Sequence, residues 1–244
     1  MKTMLISRLN LYSLSTILFA SLFFLDAKAD RPAPALRTKA RTTTVSSKSM
    51  KVYMTKKEMR FAKTYIKQSK ENLVSIQKRS AIPFNIIDSV FSHYGLPKQL
   101  KYLAVIESEL KPSAKSKVGA RGPWQLMPTT AKELGLKINR HVDERTNYYK
   151  STKAAALYLR DLHTEFNNWL LVIAAYNGGP GPVNSAIRAS GSKNFWKLQK
   201  YLPEESSMHV KKFLATYYYF EGSGNTNKLA KTDIDVSKKG PTDL

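Results

Sequence analysis

A single glutamate, Glu107, lies inside an apolar stretch that has the periodicity of a helix. At about 100° per residue, it falls in the middle of an arc formed by Leu100, Leu103, Ala104, Ile106 and Leu110. Glu109, two positions later, is predicted to face water. A carboxyl group partly removed from water is suited to donating a proton to a leaving oxygen and accepting one back. A buried glutamate paired with a lysine or an arginine has the same pattern, so the helix alone also allows a structural ion pair.

A glycine-rich turn follows this helix and ends at Gln125. Gly119 and Gly122 permit backbone conformations or close approaches that larger residues would block. Trp124 and Gln125 are expected to supply a stacking face and a paired donor and acceptor. The turn therefore has the residue types of a substrate-binding loop.

A second glycine turn ends the apolar segment 169–175 and places Tyr176 and Asn177 at one edge of the core. Alone, such a segment could be a helix end with a C-cap glycine. Together with Glu107 and the first turn, it indicates an acid/base site.

Helices must position these residues, because no segment shows a convincing period-two alternation. The first helical pattern begins near Thr55, a second begins at Pro83, and Leu96-Pro97 opens the helix of Glu107. Further helices are predicted at about 128–135, 151–166 with Ser151 or Thr152 as N-cap, 168–176, 180–189 and 204–220. The fold class is therefore all-α.

The N-terminus has the features of an export signal. Residues 1–29 combine Lys2 and Arg8, a mostly apolar run over 9–25 and a small-x-small cleavage site at Ala27-Lys28-Ala29. We expect an exported, periplasmic protein, with an uncleaved membrane anchor as the alternative. The chain has no cysteine, so the exported domain must be stable without disulfides.

The rest of the chain divides by composition into four segments. Residues 30–54 are predicted to be a disordered basic spacer, 55–84 a helical N-terminal extension, 85–222 the catalytic domain and 223–244 a polar tail.

The formal charge of +22 is concentrated near the start of the mature chain. Residues 31–80 contain 14 Lys and Arg but only 2 acids. Export and the lack of zinc-finger or RNA-binding motifs argue against nucleic acid as a partner, and anionic envelope polymers fit the charge better. A solvated basic face is the alternative.

The order and spacing of these residues resemble the soluble lytic transglycosylase domain, in particular that of the membrane-bound lytic murein transglycosylase D type. The resemblance covers about residues 85–220. It is carried by Glu107-Ser108 with Pro112, then Ser116, Gly119-Ala120, Gly122-Pro-Trp-Gln125 and Met127-Pro128, and finally Ala175-Tyr-Asn-Gly-Gly179.

This resemblance implies a helical fold like that of goose-type lysozyme. It also implies cleavage of the β-1,4 bond between N-acetylmuramic acid and N-acetylglucosamine in peptidoglycan, with formation of 1,6-anhydro ends. Carried over by position, Glu107 is the single acid/base, Ser116 and Gln125 line the site, and Met127 packs beneath it. Tyr176 and Asn177 flank the glutamate and the sugar. No metal or organic cofactor is implied.

One position departs from the family pattern. A tyrosine is usual where this chain has His209, so His209 is a candidate for positioning the acid, with the cluster Tyr217–Tyr219 as an alternative source of a hydroxyl.

Two further functions stay open. A two-carboxylate lysozyme-type hydrolase would need a second acid, for which Glu109, Asp143 and Glu144 are the near candidates. A non-catalytic peptidoglycan-binding protein of the envelope is the other alternative.

Overall fold

The computed structural model describes Met50, residues 52–222 and Ile234–Asp235. The predicted signal peptide, most of the predicted spacer and most of the predicted tail lie outside the described residues.

The described part of the chain is mostly helical, as predicted. Its helices are α1 Lys56–Gln68, α2 Lys70–Arg79, α3 Ala81–His93, α4 Tyr102–Ser108, α5 Pro128–Glu133, α6 Tyr148–Phe166, α7 Trp169–Gly178, α8 Pro180–Ser190, α9 Phe195–Leu198 and α10 Glu204–Gly222. Three short 3₁₀ turns lie at Lys98–Lys101, Glu144–Thr146 and Gln199–Tyr201. The expected all-α, lysozyme-like class is confirmed.

Strands are limited, among the described residues, to one two-residue parallel pair. Val52–Tyr53 forms β1 and Ile234–Asp235 forms β2, with Val52 opposite Ile234. A pair this short does not change the predicted helical class, and two residues are too few to show alternation in the sequence. β1 also lies at the end of the predicted disordered spacer. The Met50 and Met54 side chains beside it are buried, at 3% and 2% exposure, so the ordered structure begins earlier than predicted.

Helix boundaries differ where capping side chains decide them. Asn147, and not Ser151 or Thr152, is the N-cap of α6, because its side chain accepts a hydrogen bond from the backbone N–H of Lys150 at 2.9 Å. Ser151 and Thr152 are buried inside the helix. The N-terminal helical pattern is also split at Ser69 into α1 and α2.

The centre of the fold is α7, which is buried along Leu171–Ala175. Asn168 caps its first turn by accepting from the N–H groups of Leu170 and Leu171. Helices α6, α8 and α10 pack around it. A helix buried on all sides must be apolar throughout, and α7 therefore delivers Tyr176 and Asn177 only at its C-terminal end.

Helix α10 connects the remaining elements. It packs against α7, against α4, which carries Glu107, and against α1. The N-terminal extension thus packs on the same core as the predicted catalytic domain. No helix in the described ranges is long and apolar enough to cross a membrane.

Candidate functional site

Glu107 lies near the end of α4 and faces His209 of α10. The His209 Nε2 atom is 3.2 Å from Glu107 Oε1, and the two side chains are 11% and 15% exposed. The atoms are within ion-pair distance, yet Nε2 has no partner in hydrogen-bonding geometry within the described residues. The two side chains are therefore close, but no hydrogen bond is formed between them.

Tyr176 joins the end of α7 to the glycine turn. Its hydroxyl donates to the backbone carbonyl of Trp124 at 2.7 Å. Burial raises the pKa of Tyr176 well above its usual range, and the negative charge of Glu107 raises it further. The hydroxyl therefore keeps its proton at neutral pH and remains a donor.

Trp124 does not offer the predicted stacking face. The side chain is fully buried, its ring packs 5.5 Å from that of Phe91, and its indole N–H donates to Thr152 Oγ1 at 2.9 Å. A large aromatic ring gains more by filling the core than by facing solvent. Trp124 is therefore a structural anchor that holds the turn on α3 and α6.

The loop before α5 is folded by its own polar groups. The backbone N–H of Ala120 donates to Ser116 Oγ at 2.9 Å, and Gln125 Nε2 donates to the carbonyl of Gly122 at 2.8 Å. Gln125 has a positive φ of 46°. Ser108 Oγ donates to the carbonyl of Pro123 at 2.8 Å, which fixes the loop to α4 next to Glu107. The structure thus brings Glu107, Tyr176 and the glycine turn together.

An arginine that was not predicted supports this loop. The Arg145 guanidinium donates to the carbonyls of Gly119 and Leu126 at 2.7 and 3.0 Å and forms a bidentate ion pair with Asp143. The hydrogen bonds from the Arg145 guanidinium to the Asp143 carboxylate are the main reason that the pKa of Asp143 is lowered. A buried arginine in a polar segment has no sequence pattern of its own, because its partners are backbone carbonyls of a distant loop.

The Asn177 side chain is held by α10. Ser206 Oγ donates to Asn177 Oδ1 at 2.9 Å, which leaves the amide N–H groups of Asn177 available as donors. Gly178 allows this contact, since a Cβ there would lie 2.3 Å from Ser206 Oγ. Sequence reasoning missed Ser206, although it lies three residues before His209 on the same helix and hence on the same face.

Met127 does not pack beneath the site. It is 42% exposed, and it is the extended residue that precedes Pro128 at the start of α5. The side chain is therefore outside the core and lies next to the glycine turn in sequence.

The other acids near the motifs form ion pairs with basic side chains. Lys111 Nζ is 2.6 Å from Glu109, and Asn72 donates to it at 3.0 Å. Burial would raise the pKa of Glu109, but these hydrogen bonds and the nearby positive charges lower it overall. Lys150 Nζ lies 2.5 Å from Glu144, and this hydrogen bond is the main cause of that residue's lowered pKa. With Asp143 paired to Arg145, all three candidate second acids have basic partners.

The tyrosines after His209 have other contacts. Tyr217 is buried with its ring centroid 5.8 Å from that of Tyr102, and the Tyr219 hydroxyl donates to Gln77 Oε1 at 3.1 Å. His209 is the residue of this helix placed against Glu107. In the part of the chain that the structure describes, no group of three or more His, Cys, Asp or Glu side chains could hold a metal ion.

Comparison with known proteins connects this geometry to a family. Residues 88–199 match the family model described as "Transglycosylase SLT domain". Membrane-bound lytic murein transglycosylase D of Escherichia coli K12 is 38% identical over 126 residues, which cover 50% of this chain and 27% of the relative.

Two solved structures have the same fold. An inactive glutamate-to-glutamine mutant of lytic transglycosylase Slt from Pseudomonas aeruginosa aligns with a TM-score of 0.51 at 26% identity, covering 57% of this chain and 24% of that one. The 70 kDa soluble lytic transglycosylase Slt70 from Escherichia coli aligns with a TM-score of 0.50 at 27% identity, with the same coverage of 57% and 24%. This chain spans about a quarter of the length of these relatives. Residues 88–199, which carry Glu107 and the two glycine turns beside it, are similar to the transglycosylase SLT domain family.

Proposed function

We propose that this protein is a peptidoglycan lytic transglycosylase. It cleaves the β-1,4 bond between N-acetylmuramic acid and N-acetylglucosamine and leaves a 1,6-anhydro-N-acetylmuramic acid end. The observation that carries the proposal is one partly buried carboxyl group, Glu107, beside His209, while the neighbouring acids are bound to basic side chains.

A single carboxyl group is sufficient for this reaction. Glu107 donates its proton to the glycosidic oxygen as the bond to C1 of the muramic acid breaks. The carbonyl oxygen of the substrate's own N-acetyl group stabilises the positive charge that develops at C1. The Glu107 carboxylate then takes the proton of the C6 hydroxyl, whose oxygen attacks C1 and closes the anhydro ring. The carboxyl group regains its proton, and no water is consumed.

Three side chains have free hydrogen-bonding capacity for the sugar. Ser116 accepts from the backbone but still has its own proton to donate, and Gln125 donates to the backbone but keeps its carbonyl oxygen. Asn177 can donate through its amide group, and Tyr176 fixes the loop opposite it. The exposed Met127 supplies apolar contact area at the edge of the site. We assign substrate binding to these five residues.

The product distinguishes this function from its alternatives. Purified peptidoglycan digested with the protein should release muropeptides lighter by one water than the products of a hydrolase, as measured by mass spectrometry. Reducing ends would indicate a lysozyme-type hydrolase, and binding without any product would indicate a non-catalytic wall-binding protein. Protein with Glu107→Gln, purified in parallel, is the control for contaminating activity.

We assign to His209 the positioning of Glu107. His209 Nε2 is within reach of Glu107 but is not hydrogen-bonded to it in the structure. A hydrogen bond formed there during the reaction would contribute about 1.5–3 kcal/mol, so His209→Phe should lower kcat by at least about 10-fold. His209→Gln, which keeps an N–H donor, and His209→Tyr, which restores the usual family residue, should retain more activity than His209→Phe. Equal activity of His209→Phe and the wild type would remove His209 from the site.

The basic N-terminal region is proposed to guide the protein to its substrate after export to the periplasm. Lys56, Arg60, Lys63 and Lys67 are exposed at three- and four-residue steps along α1, on one face of the helix. Such a row attracts anionic envelope polymers. Binding of the Glu107→Gln protein to sacculi should weaken as salt rises from about 50 to 200 mM; salt-independent binding would favour the solvated-face alternative.

A further inference from the structure

The chain leaves α4 through two consecutive left-handed residues directly after the candidate acid. Glu109 and Leu110 have φ values of 56° and 62°, and neither is a glycine. L-residues rarely adopt this conformation, and it is especially uncommon for a bulky residue such as leucine. Strained backbone of this kind persists only where its surroundings enforce it. The contacts that enforce it therefore help to fix the end of the helix that carries Glu107.

Helix α2 supplies two of these contacts. Arg79 Nη2 donates to the backbone carbonyl of Glu109 at 2.9 Å, and Asn72 Nδ2 donates to its side-chain Oε1 at 3.0 Å. The Arg79 guanidinium lies 3.8 Å from the Glu109 carboxylate, but the two side chains are 38% and 32% exposed. An ion pair this exposed contributes little to stability. The directed bond from Arg79 to the carbonyl is therefore the more important contact, because it acts on the strained backbone itself.

Leu110 is fixed from the opposite side. Its side chain is buried at 4% exposure, its N–H donates to the carbonyl of Ala104 at 3.1 Å, and the Tyr148 hydroxyl donates to its carbonyl. The left-handed pair is thus held between α2 and α6.

Helix α2 also contacts the helix of the second site residue. Gln77 accepts from the Tyr219 hydroxyl of α10, and the adjoining α1 packs along α10. The same N-terminal extension therefore contacts both helices that bring Glu107 and His209 together. It lies outside residues 88–199, which match the family model.

We propose that Arg79 and Asn72 are positioning residues, which hold the left-handed end of α4 and thereby set the distance between Glu107 and His209. The expected change in kcat rests on the proposed function. The expected change in the placement of Glu107 against His209 can be measured without any turnover of substrate.

A glycine substitution at position 109 tests whether Arg79 acts by supporting the left-handed backbone. Arg79→Ala should lower kcat by about 10-fold with KM little changed, because a small misplacement of a reacting group has large kinetic effects. In a Glu109→Gly background the left-handed conformation of residue 109, to which Arg79 binds, needs no support. Arg79→Ala should then cause less than about a 2-fold further loss. Arg79→Lys, which keeps a donor, should recover part of the activity. Lys78→Ala, which removes the neighbouring exposed cation of the same helix, is the matched control and should have no effect.

The imidazole of His209 gives a second readout that is independent of catalysis. Its ring ¹⁵N chemical shifts should change in Arg79→Ala and in the milder variant Asn72→Ala, but not in Lys78→Ala. Equal losses of kcat in the wild-type and Glu109→Gly backgrounds, or unchanged His209 shifts in the Arg79 and Asn72 variants, would overturn the proposal. If the wild-type protein releases no product at all, the proposed function fails while the shifts still test the positioning role.

Discussion

Glu107→Gln should lower the release of anhydro-muropeptides by about 1,000-fold or more, while the protein remains folded. General acid–base catalysis by one side chain contributes about 10²–10⁴-fold, and here the same carboxyl group acts in both proton transfers. Glutamine has nearly the same shape but has no acidic proton to give.

The stability of this variant should be nearly unchanged. The Glu107 side chain is 15% exposed, and no hydrogen bond is formed between it and His209. Replacing its carboxylate with an amide therefore removes little stabilising interaction. We expect a melting temperature within a few degrees of the wild type, measured by circular dichroism beside the rate of product release.

Glu109→Gln is the matched control for this experiment. It makes the same chemical change two residues away and keeps an oxygen that can accept from Asn72. Full activity is expected for this variant. If Glu107→Gln were as active as Glu109→Gln, the assignment of the acid would be wrong.

Gly122→Ala should be the most destabilising single-methyl substitution in the glycine turn. A Cβ at this position would lie 1.9 Å from the carbonyl oxygen and 2.7 Å from the carbonyl carbon of Arg145, and the backbone has a φ of +83°. The obstacle is backbone that cannot rotate away, and the left-handed strain adds to the clash. We expect a loss of about 3–5 kcal/mol in the free energy of unfolding, or a failure to fold.

Gly119→Ala is the control for this second prediction. Gly119 has a similar φ of +91°, but a Cβ there would meet nothing within 4 Å. Only the conformational strain remains, for an expected loss of about 1–2 kcal/mol. Urea unfolding of the two variants measures the difference, which isolates the effect of the Arg145 carbonyl. Equal losses would show that the close approach of the two segments does not constrain the turn.

The Arg145 contact explains why the turn has a defined shape. Arg145 donates to the carbonyls on either side of Gly122 through its side chain and leaves room only for hydrogen at that position through its own backbone. The glycine was predictable as a site of close approach. The segment that approaches it was not, because residues 122 and 145 come together through tertiary contacts, among them the hydrogen bonds of Arg145 and the packing of the buried Trp124.

Sequence by itself determined the helical class, because apolar periodicity follows directly from helix geometry and requires no knowledge of neighbours. It also made Glu107 a candidate for the acid, since a charged residue among Leu103, Ala104 and Ile106 is visible without a structure. It did not determine the role of Trp124, because the same aromatic ring can face a ligand or fill a core, and only packing against Phe91 and Thr152 distinguishes the two.

Tertiary structure decided which groups surround the acid. Glu107 and His209 are separated by about a hundred residues, and their 3.2 Å contact exists because α10 packs on α4. The hydrogen bonds from Arg145 to the carbonyls of Gly119 and Leu126, and from Asn72 and Arg79 to Glu109, likewise join residues that are distant in the sequence. Hydrogen bonds depend on distances of a few tenths of an ångström between such elements. Local sequence fixes each helix and the residues on its faces, whereas the relative placement of the helices decides which side chains meet.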